Sequence, residues 1–222
     1  MIICNSKRFI FIHIPKCGGT TISHNLDKKL LPQDVSLAVN PNAGWGEFVQ
    51  TYRKRFKLYK HSTAIQIANA MGRENFKDYY AFTFCRNPFA RAYSAYTFTK
   101  RADAKHRPDS ERYQEIKDMD FDAFLGSKYM QEKMILQARS QIDWVTGAPK
   151  EVHAYKLEET EQNLKSLIAR FYGKNAAVAD PKRRNFSSSE GEWKNMSPNA
   201  ASLIRKLYRE DFDYFEYPDT LV

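Results

Sequence analysis

Residues 9–22 read FIFIHIPKCGGTTI, and the fold turns on them. An apolar, β-rich run over about 8–14 predicts a buried first strand. Pro15, Lys16, Cys17, Gly18 and Gly19 then break it, and Thr20-Thr21 open a helix expected to reach about Leu30. Two glycines let a backbone turn tightly and approach a ligand, and the first amides of the following helix point toward it. Thr20 and Thr21 add hydroxyl donors, and Lys16 adds a mobile cation at the lip. Strand, glycine loop and helix in that order make an anion site, against the plainer alternative of a tight turn beside a solvated lysine. A nucleotide-triphosphate P-loop, GxxxxGK[ST], carries its lysine after the glycines. Here Lys16 precedes them.

A second strand-loop-helix follows about 70 residues on. YYAFTFC, 79–85, has the aromatic and apolar density of a central buried strand. Asn87-Pro88 supplies a cap and a first-turn proline for the next helix. Arg86 therefore sits at a strand's C-terminal end, where open α/β sheets collect ligands. Arg86 can grip a phosphate with two donors while Ser94, two turns into the helix, offers a hydroxyl. Arg91 can join them or pair with a carboxylate.

Working outward, Ser62 is expected to cap a helix over TAIQIANAMG that Gly72 ends. A helix is expected near 45–56 and a loop over 31–44. The polar segment 101–118 reads as exposed and mobile. Residues 151–159 read as a strand entering a helix whose Leu164, Leu167, Ile168 and Phe171 form one apolar face. Arg183, Arg184, Asn185 and Ser187 lie in a basic loop, and Ser197-Pro198 start a last helix reaching about Glu210. Strands alternating with helices predict an α/β, P-loop-like three-layer fold: a central, mostly parallel sheet flanked by helices, with residues 1–222 as one domain.

Composition narrows the partners. With 222 residues, 42% hydrophobic and 27% charged, the chain has the make-up of a globular protein with a real core. Its net charge of +9 predicts an anionic partner. No apolar run approaches the roughly 18 residues of a membrane span, and no basic leader precedes a long apolar stretch. Three scattered cysteines make neither a disulfide framework nor a metal site, so a reducing cytoplasmic compartment is expected. A zinc finger, an RNP1 pattern and a basic helix are all missing, which argues against nucleic acid as the partner. A kinase-type nucleotide user would need the absent GxxxxGK[ST] and a strand-borne acidic metal ligand.

Together, IPKCGGTT after an early strand and RNPxxRxxSxY beginning at Arg86 resemble the sulfotransferases that use 3′-phosphoadenosine 5′-phosphosulfate (PAPS). KHSTA at 60–64, YKLEE at 155–159, RRNFS at 184–188 and YREDFDYFEY at 208–217 look like the branch of carbohydrate (heparan 2-O and chondroitin 4-O) sulfotransferases. The resemblance implies that Lys16, Cys17, Gly18, Gly19, Thr20 and Thr21 hold the 5′-phosphosulfate. It implies that Arg86 and Ser94 hold the 3′-phosphate and that the loop of Arg184 closes over the nucleotide. It places the catalytic base at His61, whose ordinary pKa suits that work, with Lys16 beside the departing phosphate. The acceptor is expected to offer a hydroxyl, less readily an amine, with a carbohydrate or small metabolite among the candidates and polysaccharide, lipid and peptide tyrosine left open; no metal is expected. His13 reads as a packed core residue.

Overall fold

The computed structural model describes residues 1–37, 46–178 and 191–221, with backbone alone at 46–49. In chain order its strands and α-helices are β1 (Ile2–Cys4), β2 (Phe9–Ile12), α1 (Gly19–Asp27), β3 (Val35–Ser36), α2 (Gly46–Phe56), α3 (Ala64–Met71), α4 (Arg73–Lys77), β4 (Tyr80–Cys85), α5 (Pro88–His106), α6 (Glu111–Ile116), α7 (Phe121–Gly126), α8 (Lys128–Gln131), β5 (His153–Lys156), α9 (Thr160–Tyr172), α10 (Pro198–Leu207) and α11 (Arg209–Tyr214). The chain divides into two compact units, Met1–Cys85 with Gln141–Asn185, and Arg86–Ser140 with Phe186–Val222.

The first unit carries the whole sheet, in the order β3-β1-β2-β4-β5. β2, β4 and β5 pair in parallel, while β1 is antiparallel to both β2 and β3. β3 therefore runs with β2, and β1 alone opposes the other four: an α/β sheet, mostly parallel, as the sequence predicts. Register sets Phe11 beside Phe82 and Phe84 beside Tyr155. Side chains alternate across a strand, so Phe9, Phe11, Phe82 and Phe84 share one face. They pack there with Ile22 and Leu26 of α1 and Leu164, Leu167 and Ile168 of α9. The residues between them, Ile10, Ile12, Ala81 and Thr83, are buried as well, so both faces of these strands are covered. Phe82 touches the rings of Phe9, Phe11 and Phe171; truncating such a side chain to alanine costs about 3–5 kcal/mol.

Several local expectations change. β2 ends at Ile12, so His13 and Ile14 begin the loop. The cap of α3 is Thr63, whose Oγ1 accepts from the Gln66 amide while the Gln66 side chain accepts from the Thr63 amide. Ser62 instead accepts from the Tyr59 amide. α1 stops at Asp27, and β1 and β3 are additions to the sheet.

In the second unit, Asn87 caps α5, accepting from the amides of Phe89 and Ala90. Residues 101–118 are largely helical rather than a loose loop. α5 runs on to His106, and Ser110 caps α6. Asp103, only 3% exposed, takes two 2.6 Å bonds from Arg112. The polar look of the segment conceals this pairing. The last predicted helix is two, broken at Tyr208, whose buried hydroxyl donates to the Ala138 carbonyl.

Candidate active site

β2 delivers the chain into the glycine loop, and α1 takes it away. Lys16 and Gly18 both adopt left-handed backbone, with φ of 68° and 69°. Gly18 is the N-cap of α1 and has no capping side chain. Its carbonyl accepts from the amides of Thr21 and Ile22, while Gly19 and Thr20, at the first two helical positions, have no intrahelical acceptor. These donors, with the positive end of the helix dipole, suit a phosphate group.

Both glycines are also closely approached by neighbours. A Cβ on Gly18 would overlap the side chain of Leu157 closer than 3.0 Å. A Cβ on Gly19 would lie 2.7 Å from Cε1 of His13, and closer still to Nε2 and Cδ2. A Cβ below 3.0 Å forces its neighbour to shift: the buried His13 ring resists this at Gly19, whereas at Gly18 the end of the Leu157 side chain can move and the left-handed backbone is the firmer reason for glycine. Cys17 is buried and its Sγ donates to Gln141 Oε1 at 3.0 Å, so its thiol anchors the loop from behind. Of the two hydroxyl residues, Thr20 is exposed and Thr21 is 5% exposed.

His61 lies in the turn before α3. Its carbonyl accepts from Trp144 Nε1 at 2.9 Å, and Trp144 is fully buried. Its Nδ1 lies 2.7 Å from the carbonyl oxygen of His13. A carbonyl only accepts, so Nδ1 carries the proton and Nε2 carries the lone pair. The ring meets that of His13 edge-on, with centroids 4.5 Å apart at 67°. Burial lowers the His61 pKa from 6.5 to about 4, and the charges of the Met1 amino group, Lys60 and Lys16 push the same way. The bond to His13 opposes that shift. His61 is thus neutral at pH 7, its Nε2 able to accept a proton. Burial also lowers the Lys60 pKa.

These residues all belong to the first unit, in which Gly19 and His61 both meet the His13 ring and the charge of Lys16 acts on both histidines. The second unit holds Arg86, Arg91 and Ser94. Arg86 directly follows β4 and is half-buried; Ser94 is half-buried on α5. Arg91 is 1% exposed, donates to the Arg139 carbonyl at 2.8 Å and stacks on Tyr208 with its guanidinium 5.6 Å from the ring centre. It is a core residue of that unit. Arg184, with Arg183, Asn185 and Ser187, lies outside the described residues. Among those described, no group of three or more His, Cys, Asp or Glu could hold a metal.

Three residues at this site escape a linear reading: Leu157, Gln141 and the side-chain role of His13. Leu157 and Gln141 reach the loop from more than 120 positions away, which local pattern does not encode. His13 carried a signal, a polar ring at the end of an apolar strand.

Among the described residues no helix is long and apolar enough to cross a membrane. Comparison with curated proteins and with solved structures found no match. A family model described as "Sulfotransferase family" matches residues 1–218, nearly the whole chain and both units, and the protein belongs to that family of enzymes.

Proposed function

We propose that the protein moves a sulfuryl group from PAPS to a hydroxyl of a carbohydrate or small metabolite, within one functional domain, residues 1–222. The observation that carries this reading is the cluster around His13, in which a phosphate-suited loop and a neutral histidine base share one neighbour. When bound, the donor would supply an activated sulfur–oxygen bond to a phosphate leaving group.

Lys16, Gly18, Gly19 and Thr20 bind the phosphosulfate end, with Cys17 and Thr21 holding the loop's shape from inside. Arg86 and Ser94 take the 3′-phosphate and Arg184 closes over the nucleotide; for these three the support is the motif resemblance. His61 accepts the acceptor's hydroxyl proton at Nε2 as the oxygen–sulfur bond forms. Lys16 stabilises the charge that grows on the phosphate oxygen as the old bond breaks, the preorganised electrostatic effect worth about 3 kcal/mol per donor. By analogy with phosphoryl transfer the step is loose and in line.

The desulfonated product, 3′-phosphoadenosine 5′-phosphate (PAP), should raise Tm, and Lys16→Ala and Arg86→Ala should each remove that shift. Equal stabilisation by adenosine nucleotides with and without the 3′-phosphate would refute the Arg86 and Ser94 assignment. Labelled PAPS offered to sugars, polysaccharides, lipids, phenols and amines names the acceptor class. His61→Ala should keep PAP binding and lose transfer; retained turnover would remove it as the base.

A further inference from the structure

We propose that His13 is a positioning residue for sulfuryl transfer, its ring acting as the spacer that sets the base His61 against the donor loop at Gly19. The proposal rests on the PAPS reading above for its catalytic consequence, but its geometry is independent of that reading. His13 is 3% exposed and lies between three partners. On one side it stacks on Phe11, with ring centres 5.7 Å apart and planes at 26°. On another it meets the His61 ring edge-on. On the third it fills the space a Cβ of Gly19 would need. Its carbonyl meanwhile fixes the His61 tautomer through Nδ1. One residue therefore governs the orientation of the base with its backbone and the distance to the loop with its ring.

A purely space-filling role fits less well. The Nδ1 atom of His13 is buried with no hydrogen-bond partner among the described residues, and unsatisfied buried polar atoms are selected against. An aliphatic side chain would fill a core position without that penalty. A flat five-membered ring, however, matches the slot between a bare glycine backbone and the edge of a second imidazole. Misplacing a reacting group by about 1 Å can cost on the order of 100-fold in rate, so a spacer between base and loop is a sensitive place for such a fit.

The test uses the full chain with PAP for binding and labelled PAPS for transfer, to the acceptor found by the screen or to water. His13→Ala should hold PAP affinity within about threefold while kcat falls at least 10-fold. Gly19→Ala alone should lose PAP affinity, because its methyl group meets the His13 ring. Combining Gly19→Ala with His13→Ala should restore PAP affinity while kcat stays low, a split that general destabilisation would not produce. His13→Phe keeps a ring in the slot, and should recover part of the lost kcat; this variant also serves if His13→Ala folds poorly. A kcat within twofold of wild type in His13→Ala, or no recovery of PAP affinity in the double variant, would overturn the proposal. Nitrogen-15 spectra of His61 read the positioning without any donor. Wild type should show the Nδ1–H tautomer alone, and His13→Ala, which keeps the main-chain carbonyl, should keep that tautomer but shift and broaden the His61 ring signals as the edge-on ring contact is lost. Unchanged His61 ring signals would refute positioning even if PAP binds nowhere and the donor reading falls by itself.

Discussion

Acidifying the protein from pH 7.5 to 4.5 should destabilise it through its two touching histidines. In the unfolded chain both titrate near 6.5. In the folded protein burial lowers His61 to about 4 and holds His13 well below 6.5. Depressed folded values mean that the neutral pair contributes its full stability above pH 6.5 and loses it as pH falls through 6.5 toward 4, because the unfolded chain takes up protons the folded one refuses. The slope is about 1.4 kcal/mol per pH unit for each histidine that stays neutral. For His61 the ceiling is about 3 kcal/mol by pH 4, reduced by the water that reaches its half-buried ring. Against a total stability of about 5–15 kcal/mol this is a large loss. Urea unfolding at half-unit pH steps, run in parallel on His61→Gln, cancels the carboxylate background common to both. The stability difference between the two proteins should shrink against wild type by roughly 1 kcal/mol per pH unit below 6.5. Parallel curves, or an NMR titration of His61 with a midpoint at or above 6, would refute the burial argument and with it the neutral-base assignment.

Gly18→Ala should destabilise by about 1–3 kcal/mol, combining the cost of left-handed backbone for a residue with a Cβ and its overlap with Leu157; urea Cm measures it, and adding Leu157→Ala should relieve only the overlap. Asp103→Asn should cost about 2 kcal/mol, because Arg112 loses a nearly buried carboxylate that it binds with both Nε and Nη2; a Tm unchanged within error would show the pair to be incidental. The acid limb of kcat should lie at higher pH than that of kcat/KM, since the cations Lys16 and Lys60 that lower His61 in the free protein are offset by a polyanionic donor in the complex. Coincident limbs would count against donor charge acting on His61.

How far the sequence was legible follows from where each structural constraint resides. FIFI and YAFTFC declare themselves because strands buried on both faces leave no room for alternation. β1 and β3 have three and two residues, too few for a periodic signal, and they exist only through pairing with a neighbour. Residues 62 and 63 are both hydroxyls, and the capping-box spacing separates them: a glutamine stands three beyond Thr63, whereas isoleucine stands three beyond Ser62. The 101–118 segment misleads because its charges read as solvated until Asp103 and Arg112 are seen to bind each other across nine positions.

The site divides along the same line. Lys16, the paired glycines and the hydroxyl after them are contiguous, so their spacing is enough to propose an anion loop. The reason Gly19 must lack a side chain is a ring six residues upstream, and for Gly18 it is a left-handed backbone with a leucine from the far end of the sheet packed against it. His61 illustrates the limit most sharply. Its type and its ordinary pKa recommend it as a base, yet burial and nearby cations leave it a weaker base in the free protein than sequence implies. What recommends it in the fold is a different property, a single tautomer whose Nε2 lone pair is fixed by a main-chain carbonyl. The same cations that weaken it form part of the positive field an anionic donor would enter. Lys16 and His61 are therefore coupled electrostatically, and in the proposed mechanism through His13 as well, and neither coupling is visible until the chain has folded.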